Sequence, residues 1–218
     1  MLAIEKHQSA TVRDVVGRYL KTFPQERCKL EQLTHLLTFN HDLLDRERAE
    51  HVVVGDLIIH PDEGRVLLEL YQDENGQTRM VIPHFHVDPY HADWARLFHG
   101  VSEGEKLQRT ADFETIWSVA HLAGQPRKEV FGNGHYLFDI RQAVATGDEH
   151  RAGVHTHWEV TFVRQAKCEF EVQHAPRGEY VWASINKLCN SDRPESIRLG
   201  TKLKKLGLDK KGQIKELK

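Results

Sequence analysis

The stretch HVVVGDLIIHPDEGRVLLEL, residues 51–70, decides the fold of this chain. Its first half, HVVVGDLIIH, is short, apolar and rich in β-branched residues, which is typical of a buried strand. The following Pro-Asp-Glu-Gly at 61–64 is a strong turn sequence, and RVLLELY at 65–71 has the pattern of a second strand. The stretch therefore predicts a β-hairpin.

Outward from this hairpin, the middle of the chain favours strands and its ends favour helices. Apolar residues recur at helical spacing over residues 11–38, with a break at Phe23-Pro24 that predicts two helices. A short strand is predicted within 79–87, and further strands at 136–140, 155–165 and 169–173. Helices are predicted at 113–123 and 194–206, and residues 180–183 lead towards the last of them. This order predicts an α+β protein, an α/β/α sandwich in which helices flank a mixed sheet.

Composition limits the kind of partner. The 218 residues are 39% hydrophobic and 28% charged, with a formal net charge of −2, as in an ordinary globular protein. Acidic and basic residues are interspersed, so we expect no nucleic-acid and no membrane partner. No apolar run approaches the ~18 residues of a membrane helix, and the N-terminus has no signal-peptide pattern. These features predict a cytoplasmic protein.

The chain divides into three parts by composition. Residues 1–48 are predicted to form an N-terminal helical extension packed on the core. Residues 49–206 are predicted to form the main domain, and 207–218 a basic C-terminal tail that is solvated.

Four stretches in this order resemble the Nudix hydrolase superfamily. They are HVVVGDLIIHPDEGRVLLEL at 51–70, IPHFHVDP at 82–89, YLFDIRQAVATGDEHRAGVHTHWEVTFV at 136–163 and YVWASINKL at 180–188. The resemblance implies the α/β/α sandwich. It also implies a small-molecule, nucleotide-like ligand and a divalent ion such as Mg²⁺ or Mn²⁺ in an active enzyme, and it leaves a homodimer open.

The metal-binding helix of that family is degenerate here. The family places glutamates at i, i+3 and i+4 on one helix face, where they hold a divalent metal against a diphosphate. Aligning the helix on Gly124 puts Trp117-Ser118 and His121-Leu122 at those positions, so no carboxylate remains on the face. Asp88, Glu103 and Glu114 are the candidate catalytic acids that could replace them.

Histidine is enriched, with fifteen residues in the chain. His84 and His86, like His155 and His157, are two residues apart on predicted strands, so each pair points to one face of the sheet. If the two strands approach each other, three or four imidazoles could meet. Imidazole suits Zn, Fe, Ni or Cu, and we assign His84, His86 and His121 as candidate metal ligands. His51, His155 and His157 are candidate substrate contacts.

Three functions follow. The first is a Nudix-like protein that binds a small phosphorylated or nucleotide-like molecule without standard Mg-dependent diphosphate hydrolysis. The second is a divergent active hydrolase that uses acids from residues 88–114. The third is a transition-metal enzyme built on the histidines.

Overall fold

The computed structural model describes residues 20–39, 43, 45–61, 64–73, 75–87, 136–147, 152–168 and 178–208. The strands are β1 (Glu50–Ile59), β2 (Arg65–Gln72), β3 (Thr78–Val81), β4 (His84–His86), β5 (Tyr136–Gly147), β6 (Ala152–Gln165) and β7 (Glu179–Ser184). The helices are α1 (Arg27–Phe39), α2 (Ile185–Cys189) and α3 (Pro194–Lys205), and a 3-10 turn at Pro24–Glu26 precedes α1.

The seven strands form one mixed sheet. Its main order is β3-β2-β1-β6-β5, with β4 added to β1 and β7 added to β2. The β1 and β6 strands are parallel over ten residue pairs, from Glu50 opposite Thr156 to Ile59 opposite Gln165. The other pairings are antiparallel.

The predicted hairpin at 51–70 is confirmed, but its strands separate soon after the turn. Ile58 pairs with Leu67 and Ile59 with Val66. Farther from the turn, β1 pairs with β4 at Val53–Gly55, while β2 pairs with β3 and β7. The predicted strand at 79–87 is accordingly two strands, because Pro83 lacks the N–H needed to continue the ladder.

Hydrophobic clusters lie on both faces of the sheet. Val52 and Val54 pack with Leu30 and Leu33 of α1, whereas Leu57 and Ile59 pack with helical residues that include Leu203 of α3. Alternation along β1 sends these two sets of side chains to opposite faces. The predicted sandwich of a mixed sheet flanked by helices is thus confirmed.

Other predictions have mixed outcomes. The strand predicted at 136–140 extends to Gly147. The helix predicted at 194–206 is α3. The helix predicted at 113–123, the strand at 169–173 and nearly all of the tail at 207–218 lie outside the described residues. Among the helices that the model describes, none combines the length and hydropathy needed to cross a membrane.

A buried ionic network joins the 3-10 turn, β5 and α3. Lys202 Nζ lies 2.7 Å from Asp139 Oδ1 and 3.0 Å from Glu26 Oε1. Arg198 Nη2 donates to Asp139 Oδ2 at 2.6 Å. Burial by itself would raise the pKa of Asp139, but the charges of Lys202 and Arg198 outweigh it and lower the pKa below its usual value.

This network makes stability depend on pH. Because the pKa of Asp139 is lower in the folded state, its carboxylate contributes stability above pH ~4 that is lost as pH falls through the folded pKa. We expect Asp139→Asn to lower the free energy of unfolding more at neutral pH than at pH ~3. Urea denaturation at both pH values measures the difference, with the exposed Glu31→Gln as control. An equal loss at both pH values would contradict the assignment.

Candidate functional site

The parallel pairing of β1 and β6 builds the centre of the site. It places His51 directly opposite His157. His155 and His157 leave β6 on the same face because they are two residues apart. On the other side of β1, His86 pairs with Val53, which brings a third strand to the same place.

Four imidazole rings meet there, and we call His51, His86, His155 and His157 the histidine cluster. The ring centroid of His51 lies 4.7 Å from His157, 5.4 Å from His155 and 5.1 Å from His86. His157 lies 4.7 Å from His155 and 5.6 Å from His86. His51 and His155 are buried, so a dense group of imidazole rings lies near the N-terminal ends of β1 and β6.

Backbone carbonyls fix the tautomers of two of these rings. His51 Nδ1 lies 2.9 Å from the carbonyl oxygen of Arg48, and His155 Nδ1 lies 3.0 Å from that of Gly153. A carbonyl only accepts hydrogen bonds, so both Nδ1 atoms carry a proton, and in the neutral ring Nε2 is then the acceptor. His155 Nε2 and His157 Nε2 are 2.9 Å apart. The tautomer with Nδ1–H on a backbone carbonyl is the one in which histidines bind metals through Nε2.

The ligand atoms are close enough to hold a metal ion. One ring nitrogen each from His51, His155 and His157 lies within 4.8 Å of the others. Tetrahedral zinc with Zn–N bonds of ~2.0–2.1 Å places its nitrogen ligands about 3.4 Å apart. Imidazole nitrogens fit zinc, copper, nickel or iron, whereas magnesium requires oxygen ligands.

His84 lies in a separate position on the same sheet face. Its Nδ1 donates to the carbonyl of Ile82 at 2.7 Å, and its Nε2 lies 3.4 Å from Thr161 Oγ1. The ring rests against Gly55, where an added Cβ would come within 2.8 Å of His84 Nε2. Glycine at position 55 is therefore what leaves room for this ring.

Glu159 and Arg141 complete this second group. Glu159 Oε2 lies 3.7 Å from His84 Nε2 and accepts a hydrogen bond from Arg141 Nε. Arg141 stands directly opposite Glu159 in the antiparallel β5–β6 pair. The histidine cluster thus has a second polar group beside it on the same sheet face, which consists of a carboxylate, a guanidinium and an imidazole.

The structure brings together some of the sequence-predicted residues and separates others. His51, His155 and His157, assigned above as substrate contacts, form the group with metal-binding geometry, and His86 joins them. His84 is directed to Glu159 and Thr161 instead. His121, Asp88, Glu103 and Glu114 lie outside the described residues. Sequence reasoning missed Glu159 and Arg141, although Glu159 shares the alternation of His155 and His157.

Neither a scan of protein-family models nor a search of curated proteins matched the chain. Solved structures did match. They include a Nudix hydrolase from Nitrosomonas europaea (15% identity, 77% of this chain and 95% of that chain, TM-score 0.39). The Ap4A hydrolase of C. elegans matches at 14% identity (72% and 95%, TM-score 0.36). The Nudix domain of Shewanella oneidensis NrtR, complexed with ADP ribose, matches at 10% identity (78% and 95%, TM-score 0.42). All three of these solved structures are Nudix hydrolases or Nudix domains.

These Nudix structures are distant from this chain in both sequence and shape. Identities of 10–15% and TM-scores below 0.5 transfer no residue role. The function of this chain must therefore be inferred from its own side chains.

Proposed function

We propose that this Nudix-like protein binds one transition-metal ion at the histidine cluster, with zinc as the favoured ion. The metal would hold a small phosphorylated or nucleotide-like molecule, without the Mg-dependent diphosphate hydrolysis that the family resemblance implies. The observation that carries the proposal is the convergence of four imidazoles from three strands at ring separations of 4.7–5.6 Å.

We assign His51, His155 and His157 as the three ligands. In His51 and His155, Nδ1–H is held by a backbone carbonyl, which is the arrangement that orients imidazole ligands in metal sites. Three protein ligands leave a fourth position for water or an exogenous oxygen, as in catalytic zinc sites. The His86 ring packs against those of His51 and His157.

The ligand class is supported by the sequence resemblance and by the chemistry of a divalent ion. A bound divalent cation attracts phosphate oxygens and withdraws electron density from them. Magnesium needs oxygen ligands, whereas the four imidazoles supply nitrogen. The histidine cluster would therefore take the place of a carboxylate-built magnesium site.

The test is metal analysis of protein purified without a His-tag and without added metal, followed by equilibrium dialysis against zinc. We expect about one zinc per chain. A panel of nucleoside diphosphate derivatives with magnesium or manganese, scored for phosphate release, should show no turnover. Absence of stoichiometric metal would overturn the metal proposal. Magnesium-dependent turnover that disappears in Asp88→Asn or Glu103→Gln would establish the divergent hydrolase instead.

A further inference from the structure

The group formed by Arg141, Glu159 and His84 lies beside the histidine cluster on the same sheet face. We infer that Arg141 forms a subsite that binds an oxyanion, a phosphate or a carboxylate, on the molecule held at the histidine cluster. This inference deepens the proposed function. That the bound molecule also contacts a metal rests on the proposed function, whereas oxyanion binding by Arg141 does not.

Strand geometry sets the separation between the two groups. Glu159 follows His157 by two residues on β6, so their side chains leave the same face about 6.7 Å apart. Arg141 is paired with Glu159, and the next residue on that face of β5, Ala143, is paired with His157. The residue of β5 beside His157 is therefore an alanine, whose side chain is small.

The accessibility of Arg141 distinguishes it from its neighbours. Its side chain is 36% exposed, against 11% for Glu159 and 17% for His84. It donates to Glu159 through Nε, and a guanidinium has further N–H donors on its two Nη atoms. Guanidinium groups recognise phosphate and carboxylate by paired hydrogen bonds. Arg141 can thus contact an incoming oxyanion while it remains anchored to the sheet.

Glu159 has a competing effect at this subsite. Its carboxylate holds Arg141 in position, yet it also neutralises the cation and repels a second anion. His84 packs over Gly55 and is held by the Ile82 carbonyl, and its Nε2 lies 3.7 Å from Glu159 Oε2. An oxyanion therefore competes with Glu159 for Arg141. Removal of Arg141 should lower the affinity for the oxyanion, and removal of Glu159 should raise it.

The experiment measures pyrophosphate binding by calorimetry to the zinc-loaded and the zinc-free protein. We expect Arg141→Gln to weaken pyrophosphate binding by about tenfold, because a charge-assisted pair is lost. Glu159→Gln should strengthen it severalfold. Arg79→Gln is the matched control, since the Arg79 side chain is 38% exposed and also pairs with a carboxylate, that of Asp73. It should bind like the wild type. Acetate in place of pyrophosphate separates carboxylate from phosphate recognition.

Zinc stoichiometry, measured on the same samples, separates the two proposals. One zinc per chain with unchanged pyrophosphate affinity in Arg141→Gln would overturn the subsite and leave the metal site standing. If the wild type binds no zinc but its pyrophosphate affinity still depends on Arg141, the proposed function is overturned and the oxyanion subsite stands. Weaker pyrophosphate binding in both Arg141→Gln and Glu159→Gln would show that the pair is merely structural. Absence of binding to the wild type at millimolar pyrophosphate would also overturn the subsite.

Discussion

Replacement of His155 by glutamine should abolish high-affinity zinc binding. Structural zinc sites with four protein ligands have apparent binding free energies of ~10–16 kcal/mol, or about 3 kcal/mol for each ligand. Since 1.4 kcal/mol is a factor of ten, the loss of one imidazole should weaken zinc affinity by about 100-fold or more. Competition with a chromophoric chelator measures the change.

The matched control for this variant is His60→Gln. His60 and His155 are both 3% exposed, but His60 lies away from the cluster, where its Nε2 accepts from Arg65 and its ring contacts Trp182. Zinc at ~100 times its dissociation constant should stabilise a protein by ~2.7 kcal/mol. We expect this zinc-induced increase in Tm in wild type and His60→Gln, and its loss in His155→Gln. Equal increases in both variants would exclude His155 as a ligand.

Replacement of Asp56 by asparagine should be among the most destabilising single changes in the chain. Asp56 Oδ2 lies 2.6 Å from Arg164 Nε, and both side chains are only 2% exposed. Breaking such a buried pair by removing one charge typically costs ~3–5 kcal/mol, because the remaining charge is left without compensation. Typical domains have only ~5–15 kcal/mol of stability. Chemical denaturation followed by circular dichroism should therefore show a large drop.

A double variant tests the reason for that loss. The double variant Asp56→Leu with Arg164→Met removes both charges. Its loss of stability should be much smaller than the summed losses of the single variants Asp56→Leu and Arg164→Met. The surface pair Asp45 and Arg48, 3.5 Å apart and well exposed, is the control. Asp45→Asn should change stability by less than ~1 kcal/mol. Additive losses at positions 56 and 164 would show that the charges do not interact.

Much of the sheet could be predicted because its signals are local. The turn at 61–64 and the apolar strands beside it specify the hairpin, and alternation specifies which side chains share a face. The separation of β1 from β2 beyond Ile58 could not be predicted in this way. It results from β4 pairing with β1, and three residues, His84–His86, give little pattern from which a strand partner can be inferred.

The site was predicted in the same uneven manner. Alternation correctly paired His155 with His157, and the expected approach of three or four imidazoles is what the structure shows. Which imidazoles meet depends on register, and only the alignment of His51 with His157 and of Val53 with His86 determines it. For the same reason Arg141 was missed, since its position opposite Glu159 is a property of the β5–β6 ladder.

The parallel pairing of β1 with β6 also has a consequence for folding kinetics. Glu50 and Trp158, which lie 108 residues apart in the chain, are joined by a hydrogen bond across these strands. Contacts of such high sequence separation form slowly, because a long loop must close before any pairing energy is gained. His51 comes from one of these strands, and His155 and His157 come from the other. Zinc uptake would therefore report the late moment at which these two strands pair, and would serve as a probe of refolding.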